Sequence, residues 1–484
     1  MEKSKIEPVF FQRLSPVDGS VTWAGNWASV AEVDAAANLT AAAFQAWSKS
    51  SLEFRCEIAK AYAVFLDDNR AGIARTITLE AGKPLWESDQ EIQSAIAKVS
   101  NAIEAIQQRR WTTTTEANSH STAIRYRALG RMVVLGPYNL PLHLPGAHIV
   151  PALLAGNTVL LKASEKTPGV GEWIRRAWHS AQLPHGVLEC IHGAIDQARY
   201  AVSLNDNAGV LFTGSYAAGV QLHRQLAGRP ECILALEMGG NNALVIDRVS
   251  NRKAAIATII QSAFVTSGQR CTCARRLIII DHPQNRDLLE ELSESIQRIK
   301  TANPLDFDPP FLGTLVSATA SQSILGAQEN YRSLGAAVIN ESRALENDAM
   351  LTPGMMYADK VAANKIVSLD EEHFGPLLLA YHAKDIGEAV ELANQTRFGL
   401  AAGLISDDRS VYDYFVKNVR AGIVNWNSPT TGASGRLPFG GIGSSGNHRP
   451  SGYFAADYCS YPVASVENSE MTMPAKLPPG LGGI

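Results

Sequence analysis

Cys271 lies just past a glycine in Phe264-Val265-Thr266-Ser267-Gly268-Gln269-Arg270-Cys271-Thr272-Cys273, a segment of small and polar residues with a cation, Arg270, beside the sulfur. Positive charge near a thiol favours the thiolate, and the thiolate is the nucleophile of covalent catalysis. A small buried cysteine in a core helix is the competing reading of this decapeptide. Upstream, Leu234-Ala235-Leu236-Glu237-Met238-Gly239-Gly240 sets one carboxylate, Glu237, in an apolar run that ends in two glycines. Desolvation disfavours the charged form of such a group, and a raised pKa suits a general base working near neutrality. The competing reading is a glutamate exposed where a strand meets a turn.

These side chains need elements to hold them. Residues 31–47, 52–69, 73–81 and 88–107 carry apolar residues at helical spacing. Short apolar runs at 132–135, 158–161, 187–191 and 210–212 read as buried strands, with helical segments such as 171–181 and 197–204 between them. Strands alternating with helices argue for an α/β fold with a parallel sheet covered on both faces, the natural dinucleotide-binding half. A second set of strands begins at 244–246 and 277–280, separated by a helix over 253–266, and helices are expected over 287–300 and 386–393. The Thr-rich stretch 111–117 and the mixed stretch 121–128 read as a surface hairpin. The Pro- and Gly-rich tail after Glu467 reads as irregular surface chain.

Two glycine-containing turns compete as phosphate cradles. In the first, a strand runs into Gly214, and Ser215 can cap a helix that starts near Tyr216. The free N–H groups and partial positive charge of a helix N-terminus suit a pyrophosphate. The second, Gly441-Ile442-Gly443-Ser444-Ser445-Gly446, fits Gly-x-Gly-x-x-Gly, but no strand leads in and His448-Arg449-Pro450 opens no helix. It reads as a flexible turn near the active site. Lys162 and Glu165 follow a buried strand at its C-terminal end, where such sheets bind ligands.

At 484 residues the chain calls for two or three domains. Hydrophobic content of 46% and charged content of 19% are ordinary for a soluble protein. The net charge of −4, without a Lys or Arg run, gives no expectation of a nucleic-acid partner. Met1 to Pro8 lacks the apolar core of a secretory signal. The stretch from Ile149 to Leu161 is too short for a membrane span and is broken by Pro151, Gly156 and Asn157. Six cysteines without disulfide spacing fit a reducing cytoplasm. No metal site is expected: Cys271 and Cys273 lack a second pair at zinc-ligand spacing, and no His-Glu-x-x-His occurs. Cys273 is expected to pack, with a lesser role as an oxidation partner of Cys271.

The Glu237 and Cys271 segments together resemble the aldehyde dehydrogenase superfamily. So do, in family order, Leu135-Gly136-Pro137-Tyr138-Asn139-Leu140-Pro141, the stretch from Pro151 through Lys162-Ala163-Ser164-Glu165, Phe212-Thr213-Gly214-Ser215, Glu371-Glu372-His373-Phe374-Gly375-Pro376 and Pro438-Phe439-Gly440-Gly441. The resemblance implies a Rossmann-type NAD-binding domain (1–111 and 130–239), an α/β catalytic domain (240–440), a small oligomerisation arm (112–129 and 453–467) and a tail (468–484). It implies that the arm pairs with residues 453–466 of a partner subunit, in a homodimer or homotetramer. It implies Cys271 as nucleophile, Asn139 and the Cys271 N–H as oxyanion donors, and Glu237 as the base that hydrolyses a thioester.

For the cofactor, the resemblance implies that Lys162 and Glu165 hold the adenosine ribose and that Gly214, Ser215, Tyr216, Ala217, Ala218 and Gly219 form the pyrophosphate turn. Glu372 would bind the nicotinamide ribose and Phe374 would pack near the ring. A carboxylate at Glu165 would repel a 2′-phosphate, so NAD is expected over NADP. Ala163 departs from the family's usual proline and loosens that turn. Asn241 and Gly443, where most of the family has Lys, and Gly446-Asn447-His448-Arg449-Pro450-Ser451 point to the branch that oxidises N-succinylglutamate 5-semialdehyde in arginine breakdown. Arg270, His143, His148, Asn427 and Arg436 are candidates to meet such a substrate. Ser428 and Gly146 depart from that branch, so another small carboxylated aldehyde stays open, as does a silent dinucleotide-binding relative.

Overall fold

The structure, a computed structural model, describes residues 9–117, 120–474 and 476–481. The reading of residues 1–8 therefore lies outside the described residues, as do positions 118–119 of the expected hairpin and positions 475 and 482–484 of the tail.

The first half builds a five-stranded parallel sheet in the order Leu188–Ile191, Thr158–Lys162, Arg131–Leu135, Asn207–Gly214, Ile233–Met238. Its inner strands are buried at every position instead of every second one, because helices cover both faces. Met132 and Val134 point into one core with the helices Leu52–Asp68, Leu85–Arg109, His143–Leu154 and Pro168–Ser180. Val133 and Leu135 point into the other, with Val30–Ser48, Ile195–Ser203 and Tyr216–Leu226. Between the helix that ends at Leu154 and the strand that starts at Thr158, Asn157 does the joining. Its Oδ1 accepts from Leu129 N (2.8 Å) and Gly130 N (3.1 Å), and its Nδ2 donates to Cys459 O (2.6 Å).

The second half builds a seven-stranded sheet in the order Ala337–Asn340, Gly354–Tyr357, Leu377–Ala383, Ala274–Ile280, Asn242–Ile246, Ala401–Ile405, Ile423–Trp426. All its pairings are parallel except that of the edge strand Ala337–Asn340. Ala243 and Val245 face one core and Leu244 and Ile246 the other. The helix expected over 253–266 runs over Arg252–Phe264 and stops there, because Thr266, Ser267 and Gly268 take φ of 58°, 49° and 72°.

The hairpin strands Thr113–Ala117 and His120–Ala128 are joined by Ser460–Glu467 in a three-stranded antiparallel sheet. This corrects the expected pairing with a partner subunit: the third strand comes from the same chain. His120–Ala128 is the middle strand, and both its edges are filled from within. Arg125 fastens the pairing through an ion pair with Glu467 and a 2.8 Å hydrogen bond to Ser465 Oγ. A hairpin that sequence analysis did not foresee, Phe10–Leu14 with Val21–Asn26, stacks Phe11 on Trp27 at 4.2 Å.

Candidate active site

Cys271 is half-buried and precedes the strand Ala274–Ile280. The loop leading to it reverses sharply through Thr266, Ser267 and Gly268. A Cβ at Gly268 would lie 2.1 Å from Gly375 O, so only glycine fits there. A left-handed threonine and serine cost of order 1–3 kcal/mol each and persist only where their surroundings over-determine them. Here they do. Buried Glu87 accepts through Oε1 from Thr266 N (2.9 Å) and Thr266 Oγ1 (3.1 Å), and Ser267 Oγ donates to Gly313 O (3.2 Å). Arg275 donates to Gly268 O (2.6 Å), Arg270 O (3.1 Å) and Gly375 O (3.1 Å). Asn242 Nδ2 donates to Cys271 O (2.7 Å) and Cys273 O (2.9 Å). Cys273 is fully buried with its Sγ toward Val265 O, as a packing residue.

The expected help from Arg270 does not materialise. Its Nε donates to Thr266 Oγ1 (2.7 Å) and its guanidinium faces Glu87 at 3.5 Å. Burial, with the Glu372 and Glu237 carboxylates adding, pushes the Cys271 thiol up to about 12. Arg270 is thus spent on the loop, and the thiol by itself stays protonated.

Asn139 is 5% exposed, and its Nδ2 donates to Gln269 O at 2.9 Å, next to the cysteine loop. Its backbone oxygen accepts from Lys83 Nζ (3.1 Å), and Lys83 makes a fully buried ion pair with Glu91. The other Glu91 oxygen accepts from Leu142 N (2.8 Å) and His143 N (3.0 Å). Glu237 is the penultimate residue of its strand and 3% exposed, so it is not the exposed turn residue of the competing reading. Oε1 accepts from Ser451 N at 2.9 Å, and Oε2 has no partner among the described residues. Burial pushes the carboxyl up to about 8, against the Ser451 hydrogen bonds. Asn447 borders the same strand, accepting from Leu236 N (2.9 Å) and donating to Leu234 O (2.7 Å). The turn 441–446 is pinned and not loose: buried Ser445 accepts from Gly399 N (3.0 Å) and donates to Gly239 O (2.7 Å).

Two cavities meet at this point. One, of about 490 Å³, is lined by Cys271, Asn139, Glu237, Lys162, Glu165, Gly214, Ser215, Ala218, Glu372 and Phe374. The other, of about 290 Å³, is lined by Cys271, Asn139, Lys98, His143, Arg270 and Ser451 among others. Cys271 and Asn139 belong to both.

The larger cavity has the donor set a dinucleotide needs. Ser215 Oγ caps the helix Tyr216–Leu226, accepting from Ala218 N at 3.3 Å, so the helix N-terminus opens into the cavity. Lys162 reaches Glu165 at 3.0 Å. Burial alone would raise the Glu165 carboxyl, but Lys162 and hydrogen bonds together hold it below its usual value, as an acceptor for hydroxyls. Glu372 accepts from Gly240 N at 3.0 Å, and Phe374 stands edge-on to Tyr138 at 6.1 Å. Three residues of the expected pyrophosphate turn are outside this lining. Tyr216 packs against Phe398 and Arg397, Ala217 faces outward, and Gly219 is buried with Met238 against it.

Of the five substrate candidates, Arg270 and His143 line the smaller cavity. His148 is instead buried between Tyr458 OH (3.2 Å) and Thr213 Oγ1 (3.0 Å). Asn427 holds Ser406 through two 2.9 Å bonds, and Arg436 pairs with Glu104 at the surface. Glu87, Lys83, Glu91 and Lys98 were missed. The available signal was their placement: Glu87, Glu91 and Lys98 share the helical stripe of Ala95 and Ala102 on Leu85–Arg109, where charge has no reason to sit unless it is used. No helix among the described residues is long and apolar enough to cross a membrane, and no cluster of metal-ligating side chains occurs among them.

A cysteine at the junction of two clefts, on paired parallel α/β sheets, is the arrangement of a family that residues 3–462 match: the chain belongs to the aldehyde dehydrogenase family. It is 46% identical over 470 residues to the N-succinylglutamate 5-semialdehyde dehydrogenase of Escherichia coli O9:H4 (strain HS), covering 97% of this chain and 95% of that one. It is also 46% identical over 475 residues to the enzyme of the same name from Legionella pneumophila (strain Corby), covering 98% and 95%. Among solved structures, an indole-3-acetaldehyde dehydrogenase in complex with NAD+ superposes with a TM-score of 0.89 at 26% identity, covering 95% of this chain and 93% of that one.

Proposed function

We propose that this protein oxidises N-succinyl-L-glutamate 5-semialdehyde to N-succinyl-L-glutamate with NAD. The observation that carries the reading is the meeting of the two cavities at Cys271, one with the donors for a dinucleotide and the other with room for an aldehyde. The substrate is supported by the near full-length similarity to relatives that bear that name.

Cys271 gives its thiol proton to solvent and bonds through Sγ to the aldehyde carbon, while Glu237, which lines the same cavity, stays available for the hydrolytic step. The second N–H of the Asn139 amide, free of Gln269, holds the oxyanion together with the Cys271 N–H. Donors of this kind are commonly worth ~3 kcal/mol each. NAD would be held by Lys162, Glu165, the Ser215 helix end, Glu372 and Phe374, and would supply the hydride acceptor. Once the former aldehyde hydrogen has left the tetrahedral carbon as hydride, the oxyanion re-forms a carbonyl and what stays on Cys271 is a thioester. Glu237 then takes a proton from water, the hydroxide adds to the thioester carbon, and the acid leaves as Cys271 regains its proton. A carboxyl displaced to about 8 ionises in the range where it can do this.

The same reading assigns 1–111 and 130–239 to cofactor binding, 240–440 to the nucleophile and substrate, 112–129 with 453–467 to assembly as a homodimer or homotetramer, and 468–484 to a surface tail. It places the enzyme in the cytoplasm, which the six free thiols support. The test is a substrate panel with NAD and NADP under reducing conditions. Succinylglutamate semialdehyde should be turned over with a kcat/KM at least tenfold above succinate semialdehyde, and NAD should be preferred. Equal efficiency on the two aldehydes would refute the substrate, and a preference for NADP the cofactor.

A further inference from the structure

Lys98 is 6% exposed, and its side chain lines the smaller cavity. It sits two helical turns beyond Glu91 on the same face of Leu85–Arg109, roughly 10 Å along the axis at ~1.5 Å per residue. Glu91 marks the level of the Asn139 loop through its bonds to Leu142 N and His143 N, so Lys98 lines the cavity two turns further along the helix.

A buried ammonium is expensive unless it is paired. No carboxylate and no hydrogen-bond acceptor of the described residues pairs with this one; burial is the sole influence on it and pushes it down to about 8. Every nearby charge is otherwise engaged. Glu91 is taken by Lys83 and two backbone N–H groups, and Arg270 by Thr266 and Glu87. Burial, with Lys98, Arg270 and Lys83 adding, pushes the His143 ring down to about 3, so it is neutral. The cavity that Cys271 lines therefore also holds a cation for which no free anion among the described residues is left to pair.

We propose that the Lys98 ammonium binds a carboxylate of the aldehyde substrate and makes the enzyme select carboxylated aldehydes over neutral ones of similar length. This rests on the reading above that the smaller cavity takes the aldehyde. Lys98 itself is a specificity residue, remote from the bond-making step.

The experiment compares kcat/KM for succinylglutamate semialdehyde, succinate semialdehyde and the uncharged hexanal in wild type, Lys98→Met, Lys98→Gln and Lys98→Arg. Lys98→Met should cut the preference for the better carboxylated aldehyde over hexanal by about a hundredfold, through KM more than kcat, and Lys98→Arg should keep most of it. If Met does not fold, Gln carries the same comparison. A ratio unmoved in Met or Gln overturns the proposal, as does an equal loss on charged and neutral aldehydes, which is the mark of a structural role. If wild type favours succinate semialdehyde and Lys98→Met abolishes that preference, the assigned substrate fails while Lys98 stands. If wild type favours hexanal, both fail.

Discussion

Glu237 joins burial, an orphaned carboxylate oxygen and a pKa near 8 in one side chain. Glu237→Gln should let the thioester form and stop its hydrolysis, with steady-state kcat down at least a hundredfold and an acyl adduct on Cys271 in quenched samples by mass spectrometry. Normal turnover in that variant would remove Glu237 from the mechanism. The same group carries a stability signature. Its folded pKa lies above its unfolded value, so the folded state binds the extra proton, and this contribution is complete below about 4.5 and lost as pH rises to about 8. Wild type should therefore lose a few kcal/mol between pH 5 and pH 9 that Glu237→Gln keeps, as read by denaturant unfolding at both pH values. Asn139→Ala should lower kcat by about a hundredfold, the worth of one oxyanion donor, with a smaller change in KM. At this scale Cys271 and Glu237 stood out as candidates because a thiol among small residues and a lone carboxylate in an apolar run are chemically odd. The fate of Arg270 was not, since adjacency in sequence does not say which way a side chain turns.

The helix Leu85–Arg109 does more for the site than its sequence announces. Glu87 holds the left-handed turn, Glu91 with Lys83 holds the Asn139 loop, and Lys98 faces the cavity beyond. Glu87→Gln keeps the shape but loses the charge that both Thr266 groups and Arg270 lean on. We expect kcat to fall ten- to a hundredfold at little cost in NAD affinity, measured by stopped-flow and cofactor titration. Gly268→Ala is harsher: the new Cβ would meet the Gly375 carbonyl at 2.1 Å. A loss of about 3 kcal/mol or more in unfolding free energy is expected, or failure to fold. The existence of this helix could be read from its periodicity. Its role could not, because its partners lie 179 and 51 positions away in the chain at Thr266 and Leu142.

Across the whole molecule, the two sheets each bury both faces, and the cavities open where the C-terminal end of the first sheet meets the cysteine loop of the second. The three-stranded sheet stands apart, closed inside by Ser460–Glu467 of the same chain. Among the described residues its outer strands are Thr113–Ala117 and Ser460–Glu467, and an unpaired outer strand is where another copy could add. Ending the chain after Cys459 would strip one side of His120–Ala128. We expect a changed elution volume or aggregation in size-exclusion chromatography; a profile identical to wild type would show that this strand plays no part in assembly.

Residue types and their order were enough to give alternating strands and helices, a candidate nucleophile and a candidate base; the resemblance those motifs carry added the oxyanion donor and the aldehyde dehydrogenase family, which the match over residues 3–462 shows. Those features are local: a strand's apolar run, a glycine that permits a turn, a thiol among small neighbours. Tertiary structure alone decided that Arg270 serves the loop and not the sulfur, that burial and two carboxylates raise the thiol, that the arm closes within its own chain, and that Lys98 faces a cavity without a counterion. Each depends on groups far apart in sequence coming within a few ångströms, where desolvation and pairing set the energy.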